Sequence, residues 1–334
     1  MNLIISICFF VTVMSTLVTS LQHLMVAKIG MLSICIIFIL LVKSPVTIRL
    51  VRNDFIVIFF IIYVIFSILW GQRDQSAIFV HLAFFISYIL FYVLVRISKP
   101  KHPSVFQILF IFILEFLIYA STNSDHTDIK AYVIGSTSVF LLSISYMGKL
   151  TKVASFGVNA ALSGGRFAIA SLVNFFRNPY LNYFSYLSIY FLLVYLSFTF
   201  YLSEYHDLFL GYRIFEFAAV YVNFEEPLDY IFGLGLGQRP TLRDLGSKGV
   251  IEHYGYYHNF LLTMLESLGI FGLILLFSLG FGKFFSSGKI NLHSVYWGWL
   301  IVCCIEAPRD GAWPLFVVAA LISNDRVRSH VANS

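Results

Sequence analysis

Four groups of polar residues interrupt an otherwise apolar chain, and each has a spacing suited to handling an anion or a proton. Ser163-Gly164-Gly165-Arg166 lies between two short apolar stretches. Paired glycines let backbone N–H groups approach a ligand, and a guanidinium makes forked contacts with phosphate oxygens. Gly211-Tyr212-Arg213-Ile214-Phe215-Glu216 offers Arg213 to an anionic substrate, with Glu216 about one helical turn away to orient it. The bland reading of that pair is a surface ion contact of little worth. Pro227-Leu228-Asp229-Tyr230-Ile231-Phe232-Gly233-Leu234-Gly235-Leu236-Gly237 carries alternating glycines, of which Gly235 and Gly237 are candidate substrate contacts. No acidic residue follows about 20 positions on in a βαβ setting, so a dinucleotide loop is not expected and the run reads as a backbone hinge. Finally, His258-Asn259-Phe260-Leu261 opens an apolar run that contains Glu266, Gly269 and Gly272. His258 can take a proton near neutral pH. Asn259 is suited to capping a helix there, whose free N–H groups would favour an anion.

Other polar residues carry less. His253 precedes His258 by five residues, without a third ligand or an i,i+4 register, so zinc is not expected, and no cofactor is implied. Glu115 near the end of an apolar run is read as snorkelling to an interface, whereas Arg309-Asp310 is either a local ion pair or part of the same external cavity. The cysteines, Cys8, Cys35, Cys303 and Cys304, all lie in apolar runs, where they act as small buried hydrophobes.

The elements that must position these groups are membrane helices. The chain has 334 residues, 59% of them hydrophobic and 12% charged, with a mean hydropathy of +0.85. Such a composition lies far from soluble globular norms. Continuous apolar runs, rather than short alternating strands, point to helices and exclude a β-barrel. Spans are expected at 3–19, 24–42, 54–70, 77–95, 104–120, 131–147, 181–201, 258–282, 290–305 and 312–323. Two shorter pieces, 153–164 and 166–176, are tilted, broken or re-entrant. The fold class is thus an all-α polytopic membrane protein of 10–12 spans, about 12 if both short pieces cross. It divides into helices at 1–201, a polar loop at 202–257, and helices with a short tail at 258–334.

Lys and Arg give the orientation. One set of loops holds thirteen bases, including Arg49, Arg52, Arg96, Lys99, Lys283, Arg326 and Arg328. The opposite helix ends hold five: Lys28, Arg73, Lys130, Arg166 and Arg309. The first side is expected to be cytoplasmic. The loop 202–257, with four bases and eight acids, then lies outside. The overall net charge of +5 follows from these short basic loops and does not imply nucleic acid as a partner.

In order and in residue type, the four groups resemble the O-antigen polymerase and O-antigen ligase superfamily of bacterial envelope glycan assembly. The likeness covers roughly residues 160–272. Its most specific part is His258-Asn259-Phe260-Leu261-Leu262 through Glu266 to Gly269 and Gly272. The first group departs from the family's Ser-Arg-Gly-like step, since two glycines separate Ser163 from Arg166.

The resemblance implies an inverting, metal-independent glycosyltransferase of the GT-C type in the bacterial inner membrane, with its site facing the periplasm. Its donor and acceptor would be undecaprenyl-diphosphate-linked oligosaccharides, with membrane lipids, a chain-length regulator and a flippase as further partners. A diphosphate leaving group needs cationic stabilisation, for which Arg166 and Arg213 are the candidates. His258 is the candidate base for the acceptor hydroxyl, with Glu252 or Asp229 as carboxylate alternatives. Tyr254, Tyr256 and Tyr257 are placed to stack on sugar rings, and Arg309 to bind substrate. A ligase acting on lipid A–core is the near alternative. A lipid-linked-oligosaccharide flippase is the alternative of another class, but flippases should carry charge within their spans rather than in one external loop.

Overall fold

In a computed structural model, the residues described are 3–17, 21–42, 48–71, 75–121, 223–236, 241–242, 253–254, 259–281, 292–305 and 312–332, with isolated positions at 137, 140–141, 144, 184, 188, 191–192, 195 and 220. Their regular structure is helical apart from one strand pair. The helices are α1 (Leu3–Leu17), α2 (Leu21–Val42), α3 (Arg52–Phe66, continued by a 3-10 turn over Ser67–Leu69), α4 (Gln75–Ser98), α5 (Val105–Ser121), the short α6 (Pro227–Phe232), α7 (Phe260–Gly280), α8 (Leu292–Ile305) and α9 (Trp313–Ala332). Four segments, Met25–Val42, Arg52–Leu69, Ile78–Ser98 and Phe260–Gly280, are long and apolar enough to cross a membrane. Helices suit such sequences because every interior backbone group is bonded within its own segment.

These helices coincide with the expected spans at 3–19, 24–42, 54–70, 77–95, 104–120, 258–282 and 290–305 to within a few residues. The piece 153–164 and its neighbour 166–176 lie outside the described residues, as do most of 131–147 and 181–201. Two details differ from expectation. The helix expected to end at 323 continues to Ala332. The loop 202–257 holds a minimal antiparallel ribbon, Thr241–Leu242 (β1) on His253–Tyr254 (β2), pairing Thr241 with Tyr254 and Leu242 with His253.

Side-chain contacts fix the relative directions of the helices. Asn53 at the start of α3 donates to the carbonyls of Leu279 and Ala319, and Tyr63 further along reaches Leu268. Arg96 at the end of α4 returns to Asp54. Helices α4, α7 and α9 therefore run antiparallel to α3. One end of the bundle carries Asp54, Arg96, Gly280 and Asn324; the other carries Ser67 and Gly71.

Between the ends the core is aromatic. Tyr88 stacks on Phe316 with ring centroids 5.3 Å apart and meets Phe85 and Phe260 edge-on. Phe60 meets Phe85 and Phe316, and Trp313 packs on Phe91 and Phe140. Offset and edge-to-face aromatic pairs add specific geometry to apolar burial. The outward faces of α2 and α3 are also apolar, with Ile34, Phe38, Phe55, Phe59 and Ile62 exposed. In a membrane those side chains meet lipid.

Candidate functional site

The polar residues away from the Arg96 end of the bundle gather around α7. This helix starts where it does because Asn259, in extended conformation (φ −107°, ψ 113°), accepts the amides of Leu261 (2.9 Å) and Leu262 (3.3 Å) on its Oδ1. That is side-chain capping, and it uses Asn259 as the sequence suggests. Asn259→Ala is expected to lower stability by about 1 kcal/mol and fray the first turn. Thermal unfolding in detergent, with hydrogen exchange at Leu261 and Leu262, measures both effects. Asn259→Asp should retain most of the cap.

Helix α7 is broken at Gly269, whose φ of 63° and ψ of −168° lie in a region open essentially to glycine alone. The break takes the carbonyls of the preceding turn out of register with the amides four residues on. Donors from elsewhere in the chain take their place. The Leu234 amide donates to Glu266 O (2.6 Å), and the Gly235 amide donates to Ser267 O (3.1 Å). The Tyr63 hydroxyl lies 2.9 Å from Leu268 O and 2.8 Å from Phe232 O, sharing its hydrogen between them. Leu236 N then donates to Ser67 O, closing the segment onto the end of α3.

This arrangement corrects the expected hinge: the stretch Gly233–Leu236 is a packed joint. Gly233 (φ 75°) and Gly235 (φ 83°) are buried in left-handed conformations. A Cβ on Gly233 would lie 2.5 Å from the amides of Leu268 and Gly269, and one on Gly235 would lie 2.5 Å from Gly71 Cα. The glycines let three backbone segments touch, which no side chain would permit. Gly237 lies outside the described residues.

Within the intact first half of α7, Glu266 is only 2% exposed. Its Oε1 accepts a hydrogen bond from Asn223 Nδ2 at 3.1 Å. A buried carboxylate is costly without such partners, and an acid inside an apolar span marks a functional candidate. Asp229, a candidate base, caps α6: its Oδ2 accepts the amides of Glu225 (3.0 Å) and Glu226 (2.9 Å).

Of the predicted site residues, Gly235 and Asn259 are among those described. Gly235 joins α7 at Ser267, about 12 Å along the helix from the Asn259 cap. His258, Arg213, Arg166, Tyr257, Glu216 and Arg309 lie outside the described residues. Among the described residues, no three of His, Cys, Asp or Glu form a group able to hold a metal ion.

A second polar centre occupies the opposite end and was not singled out from the sequence. Asp54 and Arg96 form a buried, two-pronged ion pair: Nη2 to Oδ2 at 2.7 Å and Nε to Oδ1 at 2.8 Å. Tyr92 donates to Oδ1 (2.7 Å) and the Val51 amide to Oδ2 (2.8 Å). Arg96 also donates to Asn324 Oδ1 (2.7 Å) and to the carbonyl of Arg49 (2.9 Å). Asn324 Nδ2 returns to Val95 O at 3.0 Å. Every oxygen and nitrogen of the pair is used, as a buried pair requires. Arg96 and Lys28, counted among loop and helix-end bases, are both buried. The network clamps α3, α4 and α9, and it explains why α9 continues past residue 323.

No family model, curated protein or solved structure matches the chain.

Proposed function

We propose that this chain is a membrane glycosyltransferase that polymerises a surface polysaccharide, moving a growing glycan from undecaprenyl diphosphate onto the next lipid-linked repeat unit. In this reading it has about 12 spans and a GT-C architecture, and the loop 202–257 faces the periplasm. The observation that carries the reading is the ordered set of motifs from Arg166 to Gly272, culminating in a His-Asn step at the head of a helix. Asn259 caps α7, so His258 immediately precedes the helix start. The positive end of the α7 dipole favours negative charge, and in this reading it supports the acceptor oxygen as its proton passes to His258.

The reaction needs three things from the protein. Cations must hold the diphosphate as the glycosidic bond breaks, a role given to Arg166 and Arg213. A base must take the acceptor hydroxyl's proton, a role given to His258. The anomeric carbon then bonds to the acceptor oxygen with inversion, and undecaprenyl diphosphate leaves.

The test is reconstitution of the purified protein in liposomes with undecaprenyl-diphosphate-linked repeat units, followed by chain extension on a gel. His258→Ala, Arg213→Ala and Arg166→Ala are each expected to reduce extension by about 100-fold or more, with little change in thermal stability. Undiminished extension in His258→Ala removes the proposed base. Undiminished extension in both arginine variants removes the diphosphate clamp.

A further inference from the structure

The segment from Glu225 to Leu236 makes a shallow excursion into the side of the bundle. It enters at Glu225 and Glu226, both exposed. By Phe232 it has reached α3 at Tyr63, about 10 Å below Trp70 by helical rise. Within four residues it has returned: Gly235 packs against Gly71, and the Leu236 amide donates to Ser67 O.

The face this excursion presents outward is apolar. Leu228, Ile231 and Phe232, at i, i+3 and i+4, line one side of α6 and are 57%, 45% and 43% exposed. Tyr63 ties that face to two candidate membrane-crossing segments. Its ring meets Trp70 at 6.0 Å and Phe271 of α7 at 4.9 Å, while its hydroxyl bonds to Phe232 O. Phe66, Leu69, Ile270 and Ile274 extend the same exposed apolar surface. Trp70 and Tyr230 near its upper edge are residue types that favour a membrane interface.

The backbone is also prepared for loss of water. The Glu225 and Glu226 amides go to the Asp229 carboxylate, and Asp229 N goes to Glu226 O. Gly233 N goes to Asp229 O, and the next three amides find carbonyls of α7 and α3. A segment in hydrocarbon must satisfy its polar backbone in this way, whereas a loop in water need not.

We propose that Pro227–Phe232 is a re-entrant piece of the loop, with its Leu228–Ile231–Phe232 face seated in the acyl chains of the leaflet at the C-terminal end of α3. The occupant of this surface is bilayer lipid, because the surface continues the lipid-facing sides of α3 and α7. Amphipathic segments of this kind bury their apolar face at the headgroup–acyl boundary. The proposal does not rest on the glycosyltransferase reading.

Ile231→Cys, carrying a fluorescent label in a background with the native cysteines replaced, tests it in liposomes. Phe59→Cys, on the outward face of α3, serves as the lipid control, and Glu225→Cys as the water control. Ile231 should be quenched by doxyl groups borne on lipid about as strongly as Phe59, and more by shallow than by deep doxyl. Iodide should quench it several-fold less than it quenches Glu225. Iodide access equal to that of Glu225 overturns the proposal. Shielding from both quenchers, as under a protein partner, overturns it equally. If the Ile231 variant fails to fold, Leu228→Cys on the same face carries the test.

Discussion

Arg96→Gln is expected to destabilise the protein by about 3–5 kcal/mol. The Asp54 carboxylate has four donors, the Val51 amide, Tyr92 Oη, Arg96 Nε and Arg96 Nη2, and the substitution takes away the last two. It leaves a buried charge without its counter-ion, in a place where water cannot take over. Asn324 Oδ1 and the Arg49 carbonyl lose a donor at the same time. Asp54→Asn should cost a similar amount for the mirror reason. The double variant, Asp54→Asn with Arg96→Gln, should cost clearly less than the sum, since neither residue then faces an unpaired charge. Thermal unfolding of the four proteins in detergent reads this coupling. Strict additivity would mean that the two groups do not act as a pair. The network lies at the opposite end of α3 from the Gly233–Leu236 joint, so surviving folded protein should retain whatever activity it has.

Gly269→Ala and Gly233→Ala form the second large pair, each expected to cost about 3 kcal/mol or more. Both glycines have dihedrals that other residues scarcely adopt: 63°, −168° at Gly269 and 75°, 174° at Gly233. Both also lie where a new Cβ would meet backbone atoms, which cannot swing aside as a flexible side chain can. A Cβ on Gly233 points at Gly269 N, while one on Gly269 collides with Ile231 O and approaches Gly233 N. The same joint should be opened by either change, so the double variant should cost little more than one single. Gly30→Ala is the control. Gly30 sits inside α2, and a Cβ there meets nothing within 4 Å. That variant should be neutral or stabilising by about 0.5–1 kcal/mol. Loss of the joint should also abolish the proposed transfer activity, since it holds Gly233–Leu236 against α7.

The contrast between these two centres and the helices around them shows what a pattern can and cannot reveal. The helices were legible because apolar runs announce themselves locally, and the Asn259 cap because a cap reads its own next few residues. Asp54 and Arg96 stand 42 positions apart. Each looked like a span boundary, and only packing shows that they are partners. Ser323 and Asn324 looked like the end of a span for the same reason, whereas Arg96 and Tyr92 make them interior residues. The glycines at 233 and 235 looked like a hinge because the third glycine that explains them, Gly269, lies on another helix. Glu266 was visible as an acid in an apolar run, but its partner Asn223 belongs to the loop. Long-range polar pairing and backbone-to-backbone packing have no local period, so a single sequence does not display them.

The proposed activity, building a surface polysaccharide from lipid-linked repeat units, has a readout in the cell. The most direct measurement is deletion of its gene in the native strain, with the surface glycan resolved on a gel. The ladder of long chains should collapse to core bearing a single repeat unit, and the wild-type gene should restore it while His258→Ala should not. An unchanged ladder in the deletion strain would rule this activity out. Complete loss of glycan from the core would instead identify transfer onto lipid A–core as the step performed.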